Sequence, residues 1–214
     1  MRILAVGDVE AKFLWDYYEP GRLDEYGLIL AAGDLDPRYL SFLATFSRGP
    51  VLYVHGNHDV NYEKTPPEGC ISVEDTLFTY RGVRILGLGG SMRYCPGAHQ
   101  FTEREMERRI RHVLPTGRRQ SGFDILLTHA PAQGMNDGSD RAHAGFRCFL
   151  PLLDEYKPAY FVHSHVHANY SDGYNKRSAY GGVTVINAYD NQAFDVTLPA
   201  EQAAPRRPFF LRRG

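Results

Sequence analysis

The chain has 214 residues, 43% hydrophobic and 23% charged, which suits one domain with a substantial buried core and excludes wholesale disorder. Lys and Arg number 24 against 25 Asp and Glu, a formal net charge of -1, so a surface built to grip nucleic-acid backbone is not favoured. Three dispersed cysteines (Cys70, Cys95, Cys148) without a CxxC pair argue against a disulfide framework and a thiolate zinc site.

Residues 2–6 read as a buried strand ended by Gly7-Asp8, and residues 10–18 as a helix closed by Pro20-Gly21. Residues 28–32 form a second strand, ended by Gly33-Asp34. Pro37 opens a helix that runs to about Phe46. Residues 51–54 form a third strand, ended by His55-Gly56-Asn57-His58-Asp59. Strands and helices alternating in this way predict parallel strands covered on both faces. Residues 76–80 and 83–88 read as a hairpin around Arg81-Gly82. Residues 102–113 form a charged helix whose Thr102 and Glu105 have capping-box spacing. A strand over 124–128 precedes His129-Ala130-Pro131, and a helix is expected over 146–156 despite Pro151. A strand over 159–162 runs into His163-Ser164-His165-Val166-His167, and strands at 183–187 and 194–198 complete the sheet. Residues 1–198 are expected to be one domain and 199–214 a C-terminal tail. With no leader-like start and no apolar run near about 18 residues, the expected compartment is the cytoplasm, without membrane association.

Five strands thus end in a metal-type ligand: Asp8, Asp34, Asn57, His129 and the His165/His167 pair. In open α/β sheets a site lies outside the carboxyl ends of the strands, so these tips are expected to converge. The flanking Gly7, Gly33 and Gly56 fit tight turns.

In these segments the chain resembles the calcineurin-like metallophosphoesterase superfamily, whose pattern is D-x-H, G-D-x-x, G-N-H-D/E, a lone His after a strand, and G-H-x-H. The matching pieces are Asp8-Val9-Glu10, Gly33-Asp34-Leu35-Asp36, Gly56-Asn57-His58-Asp59, Thr128-His129-Ala130 and Ser164-His165-Val166-His167. The resemblance runs to about residue 190. It implies an α/β sandwich of two mixed β-sheets flanked by helices, with a dinuclear metal centre. Asp34 would bridge the ions; Asp8, His167 and Glu10 would complete one site, and Asn57, His129 and His165 the other. His58 would protonate the leaving alkoxide, with Asp59 holding its ring. The implied reaction is attack of metal-bound hydroxide on phosphorus without a covalent intermediate. Two divalent ions about 3.5–4 Å apart clamp phosphoryl oxygens and acidify water, and histidine, titrating near about pH 6.5, serves as a general acid.

Two positions depart from the pattern. Glu10 stands where the family has His, and either ligates, acts through a water or swings away. The resulting oxygen-rich set favours Mn²⁺, with Fe, Mg²⁺, Zn²⁺ or Ni²⁺ as alternatives. Ser164 replaces Gly and asks only that the backbone avoid positive φ. Outside the motif, His55 and His163 read as packing or hydrogen-bonding residues, and His99 and His112 as solvated. His143, in a polar loop after the His129 strand, and Arg93, followed by Tyr94, are candidate substrate contacts. The arginines of the 102–113 helix, with Arg118 and Arg119, read as a solvated face laced with ion pairs. Trp15, Tyr17 and Tyr18 read as core or interface on the first helix. The expected function is hydrolysis of a small-molecule phosphate ester, a diester or nucleotide type favoured. The alternatives are a nuclease of the same superfamily and a non-catalytic interaction scaffold on the same fold.

Overall fold

A computed structural model describes residues 1–114, 122–167 and 175–197. In chain order the elements are β1 (Arg2–Gly7), β2 (Leu28–Ala31), α1 (Pro37–Phe46), β3 (Val51–Tyr53), β4 (Ile71–Ser72), β5 (Thr76–Tyr80), β6 (Val83–Leu88), β7 (Ser91–Met92), β8 (Gln100–Phe101), α2 (Glu103–Val113), β9 (Ile125–Thr128), α3 (Phe149–Tyr156), β10 (Tyr160–His163), β11 (Arg177–Tyr180), β12 (Val183–Asn187) and β13 (Asp190–Asp195). They form a mixed five-stranded sheet, β13-β1-β2-β3-β4, and a mixed six-stranded sheet, β11-β12-β10-β9-β6-β5; β7 and β8 pair separately. No helix among the described residues is long and apolar enough to cross a membrane.

The central strands are apolar on both faces, so each sheet must be covered twice. Ile3, Leu28, Leu30 and Leu52 of the first sheet meet Ile85, Ile125, Leu127, Val162 and Ile186 of the second in the middle layer. The alternate residues Leu4, Ile29 and Val51 pack outward on Tyr39, Leu40 and Leu43 of α1. On the far side, Leu86, Leu126 and Phe161 pack on Met106 of α2 and on Phe149 and Leu153 of α3. The result is the expected sandwich of two mixed sheets between helices. Because β1, β2 and β3 are mutually parallel, as are β6, β9 and β10, the ligand-bearing tips of each sheet lie at one edge.

The capping box at Thr102 and Glu105 forms as its spacing predicts. The helix expected over 10–18 does not. Only a single 3-10 turn, Lys12–Leu14, forms, with no side-chain cap at Ala11. The carbonyls of Phe13 and Tyr17 instead accept from the Arg22 guanidinium at 2.6 and 3.0 Å. Trp15 packs against Tyr39, and Tyr18 edge-on against Phe42 and tilted against Phe46, so packing onto α1 overrides a helix too short to nucleate well. α3 starts three residues later than expected because Phe146 is bridged to Ala132. Pro151 then lies in its first turn, where an N–H has no intrahelical partner anyway. The last strand is Asp190–Asp195 rather than 194–198, its register fixed by pairing with β1. The expected tail, 199–214, lies outside the described residues, as do Arg118 and Arg119.

Candidate metal centre

The strand tips converge. Asp8, Asp34, His129 and His165 each offer a ligand atom, and these atoms all lie within 4.8 Å of one another. Three of the four carriers are held in the left-handed region, Asp8 at φ 61°, Asp34 at 56° and His165 at 69°. L residues with side chains rarely adopt it, and such strain concentrates at functional sites. Neighbouring glycines make the turns sterically feasible: Gly33 has φ 91°, and a Cβ at Gly56 would collide with the Asp34 carboxylate. Ser164 avoids positive φ, as expected, and leaves that conformation to His165.

Second partners aim the imidazoles. His129 Nδ1 donates to the Ala32 carbonyl at 2.7 Å, which leaves Nε2 facing Asn57 Oδ1 at 3.1 Å and Asp34 Oδ2 at 3.3 Å. His165 Nε2 donates to the Ala142 carbonyl at 2.7 Å, leaving its Nδ1 as the lone-pair nitrogen. A ligating histidine commonly has its other nitrogen tied down in this way. His167 Nε2 stands 3.2 Å from Asp8 Oδ1. Asp8 Oδ2 accepts from the His165 amide at 2.7 Å and from the Ser164 hydroxyl.

The charges within the cluster are strongly coupled. Burial would raise the Asp34 carboxyl, but the His129 imidazole and the His58 amide hold it down at about 2. Burial likewise opposes charge on His129, yet Asp34 and Asp8 raise it to about 9. Asp8 is also lowered: burial works against this, and His167, His129 and Ser164 prevail. His165 is pushed down to about 4 by burial and by His129. No Lys or Arg among the described residues pairs with either aspartate. Two carboxylates beside imidazole and amide donors fit a divalent ion by their chemistry, an ion that would take the place of the proton on His129, with Asn57 and His167 extending the donor array on either side.

The other expected site residues are placed as follows. His58 is exposed at the rim, and its amide donates to Asp34 Oδ1 at 2.7 Å. Asp59 does not hold the His58 ring in any hydrogen bond of the described residues. Its Oδ2 accepts instead from the amides of Asp34 at 2.9 Å and Gly56 at 2.7 Å, bracing two tips together. Burial and the nearby Asp34 raise its carboxyl to about 6. Glu10 stands outside the four-residue group and accepts from the Asp36 amide at 2.9 Å, at the start of α1. His143 lies with its ring centroid 5.4 Å from that of His165, its Nδ1 on Asp140 at 2.8 Å. Arg93 has Nε and Nη2 on the Gln100 carbonyl, with Nη2 also on Glu105, so its fork is only partly free.

His163 is fully buried, and burial lowers it to about 4, which keeps it neutral. His99 corrects its solvated reading: it is half-buried and stacks on His55 with centroids 4.4 Å apart. Arg109 likewise departs from the solvated face of α2, since it pairs with Glu74 and with Asp75 at 2.9 Å. Sequence reasoning missed the Ser164 hydroxyl as a partner of Asp8. The signal was present, because a hydroxyl replacing Gly beside a ligand brings a new donor.

Residues 1–169 match the family model for calcineurin-like phosphoesterase. One solved structure superposes with a TM-score of 0.62 at 12% identity, over 88% of this chain and 90% of its own. TT1561 of Thermus thermophilus superposes with a TM-score of 0.56 at 18% identity, over 88% and 89%. GAP50, the anchor in the inner membrane complex of Plasmodium, gives 0.51 at 12% identity, over 87% and 70%. At these identities the likeness is one of fold. Among curated proteins none matches the sequence.

Proposed function

The chain belongs to the calcineurin-like phosphoesterase family, and from that premise we propose that it hydrolyses a diester or nucleotide-type phosphate ester with two divalent ions, Mn²⁺ favoured. The observation that carries this reading is the group of four donors within 4.8 Å, two of them carboxylates that pair with no Lys or Arg among the described residues. Asp34 would be shared between the ions, with Asp8 and His167 on one side and Asn57, His129 and His165 on the other. Bound there, such ions supply Lewis-acid polarisation of phosphoryl oxygens and an acidified water.

The chain's own residues do the rest. Asn57 and the imidazoles donate without adding negative charge, so the site stays attractive to an anionic ester. The Ala32 and Ala142 carbonyls hold the rings of His129 and His165 in place. His58, exposed on the loop that Asp34 anchors through the His58 amide, would give a proton to the departing alkoxide oxygen. Asp59 keeps the Asp34 and Gly56 tips in register. Burial of Arg109 in ion pairs removes one cation from the α2 face and weakens the nuclease alternative.

The test compares hydrolysis of bis-p-nitrophenyl phosphate and p-nitrophenyl phosphate after metal is stripped and Mn²⁺ restored, with Asn57→Ala as control. Metal-dependent turnover that the control loses is expected, faster on the diester. Absence of turnover on both esters across several divalent metals overturns the enzyme reading. The scaffold alternative then leads, and the engagement of Glu10 with the Asp36 amide is the observation in its favour.

A further inference from the structure

Beside the metal centre lies a cavity of about 500 Å³ lined by Arg93, Tyr94, Cys95, Pro96, Gly97 and Arg141. This volume lies within the range of small-molecule sites. Both of its walls are tied to the metal centre. On one, the Tyr94 hydroxyl accepts from Asn57 Nδ2 at 3.4 Å. On the other, Ala142, the neighbour of Arg141, accepts from His165 through its carbonyl. The loop that carries Arg141 is braced from within. Asp140 accepts from the amides of Ala142 and His143 at 2.9 and 3.1 Å and faces the His143 ring at 2.8 Å. The Gly138 amide donates to the His143 carbonyl at 2.8 Å.

The lining contains two guanidinium groups and no carboxylate. Arg93 is largely committed to Gln100 and Glu105. Arg141 is exposed and makes no ion pair among the described residues. A guanidinium fork matches the oxygens of a phosphate in a way a point charge does not. An uncommitted fork in a concave lining without acids, next to the centre proposed to take phosphate esters, has the chemistry of a second anion subsite. Resting on the phosphoesterase reading, we infer that the cavity receives a second phosphate group of the substrate on Arg141 while the scissile phosphate lies at the metal centre. The substrate class is thereby narrowed to esters carrying two separate phosphates.

A matched pair of substrates tests this: thymidine 5′-(p-nitrophenyl phosphate) and the same ester bearing a 3′-phosphate. Both break the same bond and differ only in the second phosphate. The wild-type protein is expected to show a KM about tenfold lower for the 3′-phosphorylated ester, as one charge-assisted contact supplies. In Arg141→Gln the ratio of the two KM values should fall to about one, and Arg141→Lys should recover part of it. Equal KM values in the wild type, or a ratio that survives in Arg141→Gln, overturn the inference. Calorimetric titration with thymidine 3′,5′-bisphosphate against the 5′-monophosphate reads the subsite without turnover. Tighter binding of the bisphosphate that Arg141→Gln abolishes supports the subsite; equal affinities overturn it. Failure of both esters to react counts separately, against the phosphoesterase reading.

Discussion

Two clusters of buried charge lie within one molecule and are balanced in opposite ways. At the metal centre, Asp8 and Asp34 face imidazoles and an amide, with no Lys or Arg paired to them among the described residues. A short way along the same loops, Glu74 accepts from the His55 and Gly89 amides at 2.9 and 2.8 Å and pairs with Arg109. Arg109 also donates to the Gly89 carbonyl at 2.7 Å, pairs with Asp75 and sits over the Phe101 ring at 4.1 Å. The second cluster is complete in itself and pins the loops after β3 and β6. The first has no such guanidinium among the described residues and could take a cation from outside. A buried carboxylate is therefore read by its counter-charge: a guanidinium marks architecture, whereas its absence marks a place for a ligand.

Removing charge from each cluster should separate the two. Asp34→Asn is expected to lower metal-dependent hydrolysis by about a thousandfold or more, since on the proposed reading it removes the carboxylate that the two ions would share. The same substitution should abolish the metal-induced rise in unfolding free energy, about 4 kcal/mol at a thousandfold excess over Kd, followed by denaturation with and without Mn²⁺. An undiminished rise would show that the ions bind elsewhere.

Arg109→Leu should do the converse. It leaves Glu74 buried without its cation and is expected to cost about 3–5 kcal/mol of stability whether or not metal is present. Urea unfolding with and without Mn²⁺ checks this, and a loss seen only with metal would merge the two clusters into one. A smaller effect follows from pH. Burial would raise the Glu74 carboxyl, but His55 and Arg109 hold it at about 2 instead of the ordinary 4.5. The unfolded chain therefore takes up this proton more readily, and stability rises with pH across that interval. The contribution, about 3 kcal/mol, is full above pH 4.5 and is lost as pH falls toward 2. Metal-free unfolding at stepped pH should show the loss, and Glu74→Gln should show correspondingly less of it.

The contrast also explains what the sequence made legible. Apolar runs broken by Gly-Asp, Gly-Asn-His and His-Ala-Pro announce buried parallel strands with ligands at their tips, because strand, turn and donor are adjacent in the chain. The convergence of Asp8, Asp34, Asn57, His129 and His165 is legible for that reason. Arg109 is not: its partners Glu74 and Asp75 lie more than thirty positions away, and Glu105, four residues before it on the helix, has the spacing of an exposed ion pair. Asp59 was assigned to its sequence neighbour, whereas its carboxylate reaches the amide of Asp34, 25 positions distant. The segment after β1 was misread as a helix because the Arg22 side chain that takes its carbonyls leaves no periodic signal.

The smallest effect tests how finely the metal centre is built. Ser164 is fully buried, and its hydroxyl donates to Asp8 Oδ2, the oxygen that also accepts from the His165 amide. With Oδ2 so engaged, Oδ1 is the oxygen left toward His167 and the cluster. Ser164→Ala keeps the Cβ and the backbone but removes this donor, freeing Asp8 to rotate in a turn already held at φ 61°. Outer hydrogen bonds of this kind are worth about tenfold in metal affinity, or about 1.4 kcal/mol. Calorimetric titration of Mn²⁺ into the metal-free wild type and variant should show that weakening, with unfolding of the metal-free proteins nearly the same. An affinity that does not move would mean that the His165 amide alone orients Asp8, and that the hydroxyl at this position only fills the space against Gly7.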